Sequence, residues 1–261
     1  MATGNLLITL RPSSGVDLGR WVLQHHKVPY TERAHAPIFH VLALKWWGVG
    51  AEDYPLYVTP KGDKLKGNPF IIEFVENDMA PEDRLIPDAA TEPELHKEVT
   101  DFTTWIYDKV SGDVVTYSYF HLLKYKWVVW PSLTTRVPWY EKVAWFLFYS
   151  LFKGLMYKGL NLDKAAADTA LQGIYAVFDK VDGLLADGRQ YLSGGRLTYS
   201  DISVAALYGP MILAQGYEGF LPNQAGCPAF LTQVYQELRD RPTGHFIQRI
   251  YDRHRPPQPQ S

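Results

Sequence analysis

Apolar and polar positions alternate in short runs through the first part of the chain. The stretch NLLITLRP, residues 5–12, is rich in leucine and isoleucine and is stopped by Pro12, which predicts a first strand. Val16, Leu18, Trp21, Val22 and Leu23 then recur near helical spacing, with Ser13 or Ser14 available as N-cap and Pro29 just past the end. VPYTERA, residues 28–34, reads as a second strand. PIFHVLALKWW, residues 37–47, reads as a helix opened by a proline and closed by Gly48 and Gly50. Two short runs flank Pro60-Lys61-Gly62-Asp63 in YPLYVTPKGDKLKGN and predict a hairpin. PFIIEFVEN, residues 69–77, adds a short helix, so the predicted order is β-α-β-α-β-β-α.

The next stretch, MAPEDRLIPDAATEP, is proline-rich and acidic, the composition of an exposed linker. Beyond it the patterns are helical, at about residues 94–110, 117–129, 139–156, 162–185, 200–215, 227–239 and 243–254, before a disordered-looking tail RPPQPQS. The expected organisation is an N-terminal domain over 1–79, a linker over 80–93, an all-helical domain over 94–254 and a flexible tail over 255–261. VAWFLFYSLFKGLM, residues 143–156, falls short of the roughly twenty apolar residues that span a bilayer. It reads as a buried helix, with an interfacial or partner-binding helix as the alternative. GGRLTYSDISVAALYGPM, residues 194–211, places a polar cluster inside an apolar run, and Thr198 with Asp201 has the spacing of a capping box.

Composition narrows the functional classes. A 46% hydrophobic content supports a packed core, and 26 basic against 28 acidic residues give no reason to expect nucleic acid. Membrane contact is a minor alternative. A single cysteine, Cys227, excludes an internal disulfide and a cysteine-rich metal site, and suits a reducing, cytoplasmic setting. The start MATGNLLITLRPSSG lacks a basic stretch ahead of a long apolar one, so no secretory signal is expected. HExxH, P-loop and GxGxxG patterns are missing from the sequence, leaving metal and nucleotide chemistry without support.

The β-α-β-α-β-β-α unit, the proline-rich linker and the helical remainder together resemble the glutathione transferase superfamily over nearly the whole chain. LTYSDISVAAL is similar to the buried capping box that opens the central helix of that family's C-terminal domain. RPSSGVDLGRWVLQHHKVPYTE resembles the first strand-to-helix turn of its serine-type members. Pro55, in DYPLYVT, stands where the family keeps a cis-proline ahead of the third strand. The resemblance implies a thioredoxin-like α/β N-terminal domain with an all-α C-terminal domain, a homodimer, and glutathione as cosubstrate for a small hydrophobic electrophile.

It also implies site residues. The family's serine aligns with Ser13, with Ser14 the neighbouring candidate. A hydroxyl at a helix N-terminus would hold a thiolate, because the donated hydrogen bond and the free amides both favour the anion. The same hydroxyl would equally serve as an N-cap. Tyr54 and Pro55 would present a backbone edge to the tripeptide, and Lys45 would meet its glycyl carboxylate. Where members that bind glutathione carry Glu-Ser or Gln-Ser, this chain has Asn68-Pro69, which removes a hydroxyl and an amide donor. Asn68 and the amide of Phe70 are the remaining candidates there. The aromatic stretch with Tyr117, Tyr119, Phe120, His121 and Lys124 would line the electrophile's site, or fill a helical core or dimer interface instead. The rival readings are a non-catalytic ligand-binding or scaffold protein and a glutathione-dependent isomerase or lyase.

Overall fold

A computed structural model describes residues 4–110 and 112–256, so most of the predicted tail lies outside the described residues. In chain order the elements are β1 (Leu6–Leu10), α1 (Ser14–His25), β2 (Thr31–His35), α2 (Phe39–Trp46), β3 (Leu56–Val58), β4 (Lys64–Lys66), α3 (Asn68–Glu76), α4 (Pro93–Val110), α5 (Asp113–Leu122), α6 (Lys126–Thr134), α7 (Trp139–Leu147), α8 (Tyr149–Gly159), α9 (Lys164–Leu185), α10 (Tyr199–Ile212), α11 (Ala229–Asp240) and α12 (Pro242–His254). They form two compact units. One comprises residues 1–75, 119–163 and 218–227, the other 76–118, 164–217 and 228–261.

The first unit holds a four-stranded sheet in the order β2-β1-β3-β4. β1 runs parallel to β2, with Ile8 beside Arg33, and antiparallel to β3, with Ile8 beside Leu56; β3 and β4 are antiparallel. Alternation sends Leu6, Ile8, Leu56 and Val58 into one cluster with Leu44 and Val49. Helix α1 buries Val16, Leu18, Trp21, Val22 and Leu23, as its spacing predicts.

Two predicted helices are broken. The one expected over 117–129 stops at Leu122 and resumes at Lys126, with the Tyr125 amide returning to the Leu122 carbonyl in a tight turn. The one expected over 139–156 is split at Phe148, whose φ of −111° and ψ of 25° interrupt the helix between α7 and α8. The apolar run 143–156 is not a buried helix. Glu141, Trp145, Tyr149 and Met156 turn inward, while Val143, Phe146, Leu147, Phe148, Leu151 and Leu155 are exposed. No described helix is long and apolar enough to cross a membrane.

In the second unit α10 is central and packs against α4, α11 and α12. Nearly every side chain on it is buried, including Ser200, Asp201 and Ser203. Its amides therefore begin away from water and need internal acceptors. The Tyr199 amide finds the Leu85 carbonyl at 2.9 Å and the Asp201 amide the Thr198 carbonyl at 3.2 Å, while the Asp201 side chain takes the donors just ahead of the helix. One carboxylate oxygen accepts from the Thr198 amide at 2.7 Å and the Thr198 hydroxyl at 2.9 Å, the other from the Leu192 amide at 2.7 Å. This is the capping box that the sequence predicts.

Candidate functional site

The turn from β1 into α1 brings the predicted thiol-side groups together. The Ser13 amide donates to the Leu10 carbonyl at 3.1 Å, and Ser13 becomes the N-cap, its Oγ accepting from the Val16 amide at 3.4 Å. Ser14 is the first helical residue and half-buried. A Cβ placed on Gly15 would sit 3.7 Å from Ser13 Oγ and 4.0 Å from Asn68 Nδ2, so both side chains lie beside the first turn of α1. One turn on, a Cβ at Gly19 would lie 2.7 Å from Asn68 Oδ1 and 3.0 Å from Pro55 Cγ. Glycines at 15 and 19 thus let Asn68 and Pro55 close onto α1.

The Tyr54-Pro55 bond is cis. The Pro55 carbonyl accepts from Gly67, and the Tyr54 amide donates to the Glu52 carbonyl at 2.8 Å. Asn68 is buried, and its Nδ2 donates to the Gly15 carbonyl at 2.8 Å, while its buried Oδ1 has no hydrogen-bond partner. Pro69 has no amide to give, and the Ile71 amide is taken by the Gly67 carbonyl at 3.2 Å. Phe70 and Lys45 are both exposed, Lys45 in the last turn of α2. Sequence reasoning missed His40, whose ring meets Tyr54 edge-on at 5.4 Å and which burial pushes down to about 4.

The residues of the predicted aromatic wall fall in both units. Burial and the neighbouring Tyr54 phenol both raise the Tyr119 phenol. Phe120 and His121 meet edge-on at 4.8 Å, and Lys124 Nζ lies 3.6 Å over the Phe120 ring. Tyr117 is buried in the other unit, its phenol pushed up to about 12 by burial and then by Tyr175.

A concavity of about 690 Å³ opens in the first unit along the edge strand β2. Its walls are Glu32, Arg33, Ala34 and His35 from β2, Ala43, Trp46 and Trp47 from α2, and Arg136, Val137, Pro138 and Tyr140 leading into α7. None of the residues expected from sequence lines it. One of its wall residues, Glu32, is held in a buried charge cluster. Arg20 grips Glu32 through Nε at 3.1 Å and Nη2 at 2.6 Å, Arg11 adds contacts at 3.2 and 3.3 Å, and the Thr9 hydroxyl donates at 2.6 Å. Burial alone would raise Glu32, but Arg20 and Arg11 hold it down at about 2. His35 Nδ1 donates to Glu141 Oε1 at 2.7 Å, and the Ala36 amide donates to Oε2 at 2.7 Å. The only sequence signal was the alternation of Thr31-Glu32-Arg33-Ala34-His35 with charged residues, which an edge strand also shows for solubility.

Residues 164–240 match the family model for the glutathione S-transferase C-terminal domain. No curated protein matches the sequence. Among solved structures, a glutathione S-transferase of Ceriporiopsis subvermispora in complex with glutathione is 11% identical, with 99% of this chain and 100% of that chain covered at a TM-score of 0.62. A possible glutathione S-transferase from Rhodopseudomonas palustris is 16% identical, over 96% of this chain and 94% of that chain at a TM-score of 0.55. A glutathione S-transferase from Sinorhizobium meliloti is 18% identical, over 98% and 96% at 0.53. At such identities the likeness is one of fold.

Proposed function

For a chain that carries the glutathione S-transferase fold and a matching C-terminal domain over 164–240, we propose a glutathione transferase-like enzyme that readies the glutathione thiol for attack on a hydrophobic electrophile. The observation that carries this reading is the meeting of Ser13, cis-Pro55 and Asn68 around Gly15 and Gly19 at the start of α1. Ser13 Oγ spends a lone pair on the Val16 amide, so its O–H proton is left to donate. Glutathione supplies a thiol whose ordinary pKa is about 8.5, and a hydroxyl donor beside the α1 N-terminus favours its anion. The Tyr54 carbonyl offers an acceptor for a backbone amide, its own amide being engaged with Glu52. At α3 the Phe70 amide is the donor left for the γ-glutamyl carboxylate, and Lys45 is the cation assigned to the glycyl end. The fit is thinner at the γ-glutamyl side than the family pattern, because Asn68 is tied to Gly15.

The test is steady-state conjugation of glutathione to an activated aryl halide. Ser13→Ala should lower kcat/KM by about tenfold to a thousandfold, whereas Ser14→Ala leaves it within about twofold. Equal effects of the two substitutions, or none, refute the assignment to Ser13.

A second reading is supported by the β2-edge cleft. Arg33, Arg136 and His35 beside Trp46, Trp47 and Tyr140 suit a flat organic anion, and the volume of about 690 Å³ is that of a small-molecule site. On this reading the chain holds a ligand without transforming it, and anionic dye binding would survive Ser13→Ala.

A further inference from the structure

Helices α6 to α8 leave an apolar surface that neither reading uses. On α7 Trp139, Val143, Phe146 and Leu147 follow one another at helical spacing on the outer side, and on α8 Leu151 and Leu155 do the same; Trp139 is 76%, Leu147 64% and Leu151 57% exposed. The inner sides of both helices already pack into the unit, through Trp145, Tyr149 and Met156 with Glu141 buried beside them. An outward apolar stripe on a helix whose inner side already packs is left for something outside the unit to cover. This face continues onto α6, because Lys126 Nζ donates to the Phe146 carbonyl at 3.1 Å and lies 4.4 Å over the Phe146 ring, with Trp127 exposed beside it.

The charge of the segment has one sign. Between Asp113 and Asp163 the chain carries Lys124, Lys126, Arg136, Lys142, Lys153 and Lys158 but a single carboxylate, Glu141, within a chain of formal charge −2. Glu141 is buried and bonded to His35 and Ala36, so no carboxylate of this segment reaches the surface. Exposed tryptophan, aliphatic side chains and lysine without acid form the composition of a surface that settles at a membrane interface.

We propose that the α6–α8 face docks on an anionic phospholipid bilayer, its apolar side chains entering the headgroup–acyl boundary and Lys142, Lys153 and Lys158 meeting lipid phosphates. A bilayer is favoured over a second copy of the chain. Two-fold self-pairing would oppose these cations to their own duplicates with no carboxylate to answer them. Anionic headgroups supply the missing charge. The short helices lie along the surface and do not cross it.

Flotation of the full-length chain with phosphatidylcholine vesicles, with and without phosphatidylserine, tests this. The chain should float with the serine-lipid vesicles and bind neutral ones at least about tenfold more weakly, with the difference shrinking as salt rises. Leu147→Glu with Leu151→Glu should lower binding to serine-lipid vesicles about tenfold or more, and Lys142→Glu with Lys153→Glu should do so as well, both at unchanged circular dichroism. A chain that stays at the bottom of the gradient with either lipid, or variants that bind like the parent, would overturn the proposal. So would a dimer in sedimentation that Leu147→Glu splits while vesicle binding stays nil, since the face would then be a self-interface.

Discussion

Asn68 donates through Nδ2 to the carbonyl of Gly15 at 2.8 Å, tying the start of α3 to the first turn of α1. The bond orders the same turn that presents Ser13, so the residue that departs from the family pattern acts first on geometry. Asn68→Ala should destabilise the chain by about 1 kcal/mol or somewhat more, through the lost bond and an orphaned carbonyl. Gly19→Ala should cost about 1–3 kcal/mol, because the added methyl would meet Asn68 Oδ1 at 2.7 Å and Pro55 Cγ at 3.0 Å. Removing the Asn68 side chain makes part of that room, so the pair should be less destabilising than the sum of the two. Urea unfolding of the four chains measures the coupling.

Glu32 and Asp201 give stability opposite dependences on pH. Glu32, buried but outweighed by its guanidinium partners, titrates at about 2 in the folded chain, below its ordinary 4.5. Its contribution is complete above the ordinary carboxylate range and is lost as pH falls through about 2. Burial pushes Asp201 up to about 6 despite its hydrogen bonds. Its contribution is complete below the ordinary range and declines as pH rises through about 6. Denaturant unfolding across pH should show both limbs. Glu32→Gln should remove the acid limb and cost about 3–5 kcal/mol near neutrality, by leaving Arg11 and Arg20 without their counter-charge.

The order of the first seven elements was legible because each is bounded by a residue with a fixed conformational preference: Pro12 after β1, Gly48 after α2, Pro60 and Gly62 within the hairpin. The capping box on α10 was legible for the same reason, Thr198 and Asp201 having a spacing that few other contexts demand. The helix breaks at Leu123–Tyr125 and Phe148 were not, since no glycine or proline marks them. Nor was the exposure of Phe146, Leu147 and Leu151. Periodicity assigns apolar residues to a face and assumes that face is covered. The pairing of His35 with Glu141 joins positions far apart in sequence, which spacing cannot register.

The capping box should act on folding alone. Thr198→Ala should lower stability by about 1 kcal/mol, and Asp201→Ala by more, since three donors lose their acceptor. Ligand affinity of the folded fraction should stay unchanged in both. A binding loss at unchanged Tm would show that α10 contributes to a site.

In the β2-edge cleft, Trp47→Ala and Arg136→Ala should each weaken binding of an anionic fluorescent dye by about threefold or more, the arginine change more strongly at low salt. Glu141→Gln should weaken stability as well, because the Ala36 amide loses a charged acceptor at 2.7 Å. Fluorescence titration and thermal melting separate the two effects.

Isothermal titration with glutathione, on the parent chain and on Ser13→Ala, reaches the central proposal most directly. Heat that saturates in the micromolar to millimolar range for both chains, with conjugation lost only in Ser13→Ala, is the result expected if Ser13 holds the thiolate while other groups hold the tripeptide. An absence of heat at millimolar glutathione in the parent chain would contradict the transferase reading and leave ligand binding as the role of this fold.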